Sequence, residues 1–342
     1  MTDCESVRVA FLDVGQGDSV VAVLPDRRSA IVVDSPEGAT TVDFLVDHRI
    51  EDLPLVIVSH MHWDHMGGML GLIAAFRGRI GLFACNYDHV PPADQKERRK
   101  FRAALRGLAA QERKGLHLAP ALFPWEEQYR GMQAEILHPS HGDVGSAIAD
   151  GNPNNASVVL RLNAYGRYVL LPGDLQPSGW QSMRERGPAL SASVLKFPHH
   201  GGAYADDGDR VPKDTELGEV LALIAPEVIV VSVGTNNIHD HPAPESIRRV
   251  CLISSSPRIL CTQATPRCTS KPEEIRDVVI ACLPDLCSSG GSARDAAACP
   301  CAGTVTVELT EGGIAVTPSR EEHAQARRLF DRPLCDMGRP SG

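Results

Sequence analysis

The run SHMHWDHMGG at residues 59–68 constrains this chain more than anything else in it. His60, His62, Asp64 and His65 crowd together directly after the apolar stretch Leu55–Val58, which has the length and composition of a buried strand ending at Ser59. On a helix, four such side chains would point in divergent directions. In a tight loop that leaves a strand and turns at Gly67–Gly68 into a helix, predicted over 67–76, all four can converge on a small volume. Imidazole nitrogens and carboxylate oxygens are the donor set for zinc or a similar divalent ion, and four of them in one loop can serve two ions. A surface loop that merely happens to be rich in histidine would not need this strand–loop–helix setting.

The rest of the chain supplies that setting. β-rich runs at Val7–Leu12, Ser19–Leu24 and Ala30–Asp34 are separated by the turn compositions GQGD and PDRRS, and Thr41–His48 has helical spacing. Further strands are predicted at Ala134–Leu137, Ser157–Leu162, Arg167–Leu171, Val194–Phe197 and Val228–Val233, with a helix near Leu217–Ile224. Strands and helices alternate after a strand-only opening, which indicates a layered α/β fold with mixed sheets. At 342 residues, 43% hydrophobic and 23% charged, the chain can build a large core and is neither collagen-like, coiled-coil nor wholly disordered. With 34 Lys+Arg against 43 Asp+Glu, net −9, it is no basic nucleic-acid coat, so a polyanion would have to meet a local patch. One such patch is residues 94–114, a strong helix former with Phe101, Leu105 and Leu108 on one side and eight Lys or Arg against two Glu.

At the His/Asp loop the sequence resembles the metallo-β-lactamase superfamily, whose signature is His-x-His-x-Asp-His. More narrowly it resembles the soluble hydrolase domain of competence-type DNA-uptake channel proteins, through FLDVGQGDS (11–19), NNASVVLRL (154–162), YVLLPGDL (168–175), LKFPHHGG (195–202) and HP at 241–242, in that order. The resemblance implies an α/β fold, an αββα sandwich of two mixed β-sheets with outer helices and the site at one edge. It implies a hydrolase domain over 1–317, with a basic helical insertion at about 91–118 and a Cys-rich insertion at about 262–301, then a C-terminal helix and tail at 318–342.

The resemblance also implies two divalent metal ions, Zn2+ or Mn2+, with Mg2+ as a further option. His60 and His62 would hold one, Asp64 and His65 the other, and Asp174 would bridge both. One of His199 and His200 would complete the second site; His200, directly before the glycine, is favoured, which leaves His199 near the substrate. The superfamily's third histidine for the first metal is missing, and GNPNNAS (151–157) stands in its place. Asn155 is therefore the expected ligand with Asn154 beside it, and an amide oxygen would shift preference from Zn2+ toward Mn2+ or Mg2+. His138, in ILHP, is the substitute, although a histidine ending a strand is more often structural. Asp34 would orient the metal loop, and the glycines of DVGQGDS would bring Asp18 close to the metals. Asp64, His199 and His241 are the candidate catalytic residues, His241 to contact a substrate phosphate or protonate a leaving group.

Two divalent ions lower the pKa of a shared water enough to supply hydroxide near neutral pH, so no serine, cysteine or lysine nucleophile is needed. The expected activity is that of a phosphodiesterase or nuclease, with phosphates of a nucleic acid meeting Arg98, Arg99 and Arg102. Two other readings share these residues: a small-molecule hydrolase acting on a lactone, thioester or phosphoester, and a non-catalytic partner-binding module. No stretch approaches ~18 uninterrupted apolar residues, and the N-terminus is acidic where a secretory signal is basic, so no membrane partner is expected and the chain reads as cytoplasmic. RILCT (258–262) and AGTVTVEL (302–309) read as adjacent pieces of a closing strand pair, split by an insertion. Its Cys261, Cys268, Cys282, Cys287, Cys299 and Cys301 are candidate ligands of a structural zinc, or else small buried hydrophobes, since they lack Cys-x-x-Cys spacing.

Overall fold

The computed structural model describes residues 6–36, 38–86, 95–209, 211–282 and 291–336, the side chains of 95–98, 101, 282, 293, 294 and 336 excepted. In chain order the strands are β1 (Val7–Phe11), β2 (Val20–Val23), β3 (Ser29–Val33), β4 (Asp52–Ile57), β5 (Ile80–Ala84), β6 (Leu118–Ala119), β7 (Trp125–Tyr129), β8 (Met132–His138), β9 (Val159–Ala164), β10 (Arg167–Leu171), β11 (Val194–Lys196), β12 (Val228–Val231), β13 (Arg258–Cys261), β14 (Val305–Thr310) and β15 (Gly313–Thr317). The helices are α1 (Thr40–Asp47), α2 (Trp63–Met66), α3 (Met69–Ala75), α4 (Gln95–Glu112), α5 (His141–Asp150), α6 (Pro177–Glu185), α7 (Asp214–Ile224), α8 (Pro244–Cys251), α9 (Pro272–Cys282), α10 (Gly291–Arg294) and α11 (Arg320–Arg327).

Two mixed sheets result, ordered β15-β14-β1-β2-β3-β4-β5-β6 and β13-β12-β11-β10-β9-β8-β7. The period of two along each strand explains why they stack. Val7, Val9 and Phe11 of β1, Ile31 and Val33 of β3, and Leu55 and Ile57 of β4 point into one buried layer with Leu160, Leu162, Val169, Leu171, Val194 and Val228 of the second sheet. The alternate residues Ala10, Val32 and Val56 point outward and are covered by Leu45 of α1, Leu72 of α3 and Ala104 and Leu108 of α4. On the other side Leu170, Leu195 and Ile229 meet Trp180 of α6, Leu217 and Leu221 of α7 and Ile247 of α8. Strands buried on both faces are rich in apolar residues, so β12 (VIVV) and the C-terminal halves of β3 (IVV) and β4 (LVI) read as Val/Ile/Leu runs.

The αββα architecture is as expected from the sequence, but one topological expectation is wrong. Arg258–Cys261 pairs in parallel with β12 in the second sheet, whereas Val305–Thr310 pairs with β1 and β15 in the first. The two are not partners, because β14 crosses to the other layer to extend the edge beside β1. Strands β3 and β4 run parallel, as do β10 through β13, so their C-terminal ends open on one edge of the sandwich. Among the described residues no helix is long and apolar enough to cross a membrane.

Candidate metal centre

Each side chain at that edge is placed by the end of a strand. Asp34 follows β3 in the left-handed region, φ 62°. Its carboxylate accepts from the Ser59 amide at 2.7 Å, the Ser59 hydroxyl at 2.6 Å and His65 Nδ1 at 2.8 Å. With Nδ1 donating to Asp34, the neutral ring that a cation would require presents Nε2 as its lone pair, so Asp34 fixes both the tautomer and the direction of His65. After β4, His60 Nε2 lies 2.9 Å from His62 Nδ1. The loop between β1 and β2 is pinned over the same place: Asp18 N donates to Asp64 O at 3.1 Å, and a Cβ at Gly17 (φ 122°) would fall 2.3 Å from that oxygen.

The second sheet brings the remaining donors. Asp174 follows β10 and is 2% exposed, and its amide is held by the Ser157 hydroxyl at 3.2 Å. After β11 the chain turns through three left-handed residues, His199 (φ 50°), His200 (φ 51°) and Gly201 (φ 78°), a conformation that costs non-glycine residues roughly 1–2 kcal/mol each. The turn buries His200, whose Nδ1 donates to the Ser232 carbonyl at 2.9 Å, and leaves His199 at the rim. His200 Nε2 then faces Asp64 at 3.3 Å and Asp174 at 3.4 Å, while His65 Nε2 faces Asp174 at 3.3 Å.

The groups Asp64–His65–His200, His60–His65–Asp174 and Asp18–Asp174–His200 each present donor atoms within 4.8 Å of one another. Several of those atoms, His65 Nε2, His200 Nε2, Asp174 Oδ1 and Asp18 Oδ1, are buried and have no hydrogen-bond partner among the described residues. Orphaned polar atoms of this kind are costly unless something satisfies them. Their chemistry, two fixed imidazole lone pairs among carboxylate oxygens, fits one or two divalent cations. Burial lowers the affinity of His65 and His200 for protons, yet the surrounding carboxylates, Asp174 foremost, outweigh it: His65 is pushed well above its usual value and His200 up to about 10. The pocket thus attracts positive charge.

Lys196, the last residue of β11 and 1% exposed, was not singled out in the sequence. Its ammonium pairs with Asp18 and lies 3.6 Å from Asp174 Oδ1. Burial disfavours that charge, but Asp18 and Asp174 hold the group protonated above the usual lysine value. A lysine closing an apolar strand gives no sign in sequence of facing a carboxylate pair.

Other expectations need correction. Asn155 is not placed as a metal ligand: its Nδ2 donates to Asp206 at 2.9 Å and its Oδ1 accepts from Gly179 N at 3.1 Å, so the amide braces the 203–209 loop. Asn154 is the neighbour with a buried Oδ1 that lacks a partner among the described residues. His138 donates through Nδ1 to Ser157 O at 3.0 Å and is lowered by burial to about 4, a neutral structural ring. His62 belongs to none of the donor groups, although it touches His60. His241 packs against the glycine turn, its ring 5.2 Å from that of His199. Burial, then the neighbouring His199 and His200, lower it to about 3. Of the cysteines, Cys299 packs in the core with its sulfur toward Pro300 O, while Cys287, like the side chains of Cys282 and Arg98, lies outside the described residues.

Comparison with known proteins is in keeping with this geometry. Residues 12–179 match the family model described as the metallo-beta-lactamase superfamily. Two curated relatives are ComE operon protein 3 of Bacillus subtilis (strain 168), 25% identical over 68% of this chain, and competence protein ComA of Neisseria gonorrhoeae, 26% identical over 71%. This chain spans only 29% of the length of each. A solved structure, the metallo-beta-lactamase fold protein YhfI from Bacillus subtilis, is 14% identical and covers 75% of this chain and 96% of its own, with a TM-score of 0.44.

Proposed function

We propose, on the premise that this chain carries a metallo-β-lactamase superfamily domain, that it is a metal-dependent hydrolase of phosphodiesters, with nucleic acid as the substrate class. The observation that carries the hydrolase reading is the set of buried, unpartnered donors on His65, His200, Asp174 and Asp18. Divalent ions held there would supply Lewis-acid activation of a water and of the scissile P=O. The chain's own residues hold the geometry: Asp34 and Ser232 O fix two imidazoles by their far nitrogens, and Lys196 neutralises part of the carboxylate charge. His199 and His241 flank the opening, where uncharged rings can donate hydrogen bonds to phosphate oxygens.

The phosphodiester choice is supported by α4. Its Ala104 and Leu108 are buried against the first sheet's outer core, and Lys100 Nζ sits 4.7 Å from the centre of the Trp63 ring, inside the metal loop. Arg99, Arg102 and Arg106 stand exposed on the same helix, so α4 offers a local cationic patch on an otherwise acidic protein.

The test is turnover of a chromogenic phosphodiester and of single- and double-stranded DNA, against a lactone and a thioester, by the Mn2+-loaded and the chelated protein. Metal-dependent cleavage of the phosphodiesters is expected. Turnover of lactone or thioester alone would favour a small-molecule hydrolase, and a metal-loaded protein inert on all of them would favour a partner-binding module.

A further inference from the structure

A second cluster of metal-binding side chains shares no residue with the first. Cys301 Sγ, His323 Nε2 and Cys335 Sγ lie within 4.8 Å of one another, with Cys301 Sγ 3.4 Å from His323 Nε2. All three residues are buried, at 1%, 3% and 4% exposure. Cys261 and Cys268 are buried in the same apolar layer, and all four cysteines are free thiols close enough to influence one another's ionisation.

These residues come from separate stretches of chain that other contacts hold together. Cys261 ends β13; Ala302 N donates to its carbonyl at 2.9 Å and Cys301 N to Thr262 O at 3.0 Å, which fastens the Cys301 loop beside the strand. His323 lies on α11, whose start is set by the Ser319–Glu322 capping box. Cys335 lies in the short turn Leu334–Asp336, and Arg332 N donates to Cys268 O at 2.9 Å just ahead of it.

Buried cysteines alone are unremarkable as small hydrophobes. Here a buried imidazole with its ring nitrogen near sulfur and two sulfurs drawn from distant segments supply three of the four donors of a closed tetrahedral site, with Cys261 and Cys268 in the same buried layer. Soft thiolates with one imidazole select zinc over the harder ions suited to the His/Asp centre.

We propose that Cys301, His323 and Cys335, with Cys261 or Cys268 as the fourth ligand, form a structural zinc site that fastens the C-terminal segment to the edge of the second sheet. On binding, each coordinating thiol gives up its proton to solvent as its sulfur becomes a ligand, with no change of oxidation state. The site explains the absence of a paired-cysteine motif: its ligands are brought together by packing and not by spacing.

The test uses the full chain, purified under reducing conditions. A variant with the His/Asp centre disabled by His65→Ala and Asp174→Asn should retain about one equivalent of zinc, and adding Cys301→Ser or Cys335→Ser should remove it. Loss in either Cys261→Ser or Cys268→Ser identifies the fourth ligand. Cobalt loaded into the unmutated protein should give a thiolate-to-metal charge-transfer band in the near ultraviolet, which a His/Asp centre cannot produce; this readout does not depend on a variant folding. Absence of that band, or zinc content unaffected by Cys301→Ser, would each overturn the proposal.

Discussion

Asp34 shows how much of this centre rests on side chains that are not its ligands. It gathers three donors from Ser59 and His65 while lying 1% exposed, so its removal leaves His65 free to rotate and swap tautomers. Asp34→Ala is expected to lower metal affinity or activity by about 10–100-fold with the circular dichroism spectrum retained. Wild-type metal affinity in that variant, measured by competition with a chromophoric chelator, would show that His65 is oriented by something else. Lys196 poses a different question, because its ammonium shares Asp18 and Asp174 with any bound cation. Lys196→Met leaves buried carboxylates unpaired, a loss of about 3–5 kcal/mol in the metal-free protein. Divalent ions should recover part of that, so the melting temperature should rise more on Mn2+ addition in the variant than in wild type. Equal rises would mean that lysine and metal act on separate charges.

Two elements carry predictions of their own. If α4 meets phosphates, Arg99→Gln, Arg102→Gln and Arg106→Gln together should weaken DNA binding and reduce the slope of log affinity against log salt by about 1 for each phosphate that is no longer neutralised. Turnover of a small chromogenic phosphodiester should stay near wild type; an unchanged salt slope removes α4 from the binding surface. The second element is α5, begun by a capping box in which Ser140 N donates to Asp143 at 2.7 Å and Asp143 N to Ser140 Oγ at 3.2 Å. Burial works against the Asp143 charge, but hydrogen bonds from Ser182 and Ser140 lower it from 3.8 to about 2, and Arg186 lies 2.8 Å away. A depressed carboxyl stabilises the fold above its unfolded value and loses that contribution as pH falls through the folded one. Asp143→Asn should therefore cost about 1 kcal/mol at neutral pH, and the gap to wild type in urea melts should close between pH 3.8 and about 2. A gap independent of pH would assign the effect to packing. These helices also mark what the sequence concealed. β1 to β4 were legible because they are mostly buried and their Val, Ile, Leu and Phe residues dominate, with Arg8 the only charge within β1 and Asp52 at the start of β4. α5 was not, since HGDVGSAIAD carries two glycines and is helical through its cap, and β7 (WEEQY) was missed because it is a polar edge strand paired only with β8.

At the scale of the whole molecule, the metal centre is where the two sheets meet. Asp18, Asp34, Asp64 and His65 leave the first sheet, Asp174 and His200 leave the second, and the strands that deliver them point their C-terminal ends at the same edge. The convergence of His60, Asp64 and His65 could be read from 59–68 because they are adjacent in sequence. The pairing of Asp64 with His200, 3.3 Å apart across the sandwich, could be inferred only through resemblance, and Asn155 was misassigned because backbone nearness does not say where an amide turns. A cation bound by donors from both layers links them, so it should stabilise the folded state by mass action, about 2.7 kcal/mol at a hundredfold excess over Kd. In a domain of this size that is a rise of several degrees in the melting temperature. Mn2+ is the suitable probe, since a hard ion engages the His/Asp centre in preference to thiolates. Asp64→Ala removes a donor from the first sheet and Asp174→Asn one from the second; if the cation joins the layers, each alone should abolish most of the Mn2+-dependent rise. Calorimetry that found the full rise kept in Asp174→Asn and lost in Asp64→Ala would place the ion wholly within the 59–68 loop, with the second sheet serving only to cover it.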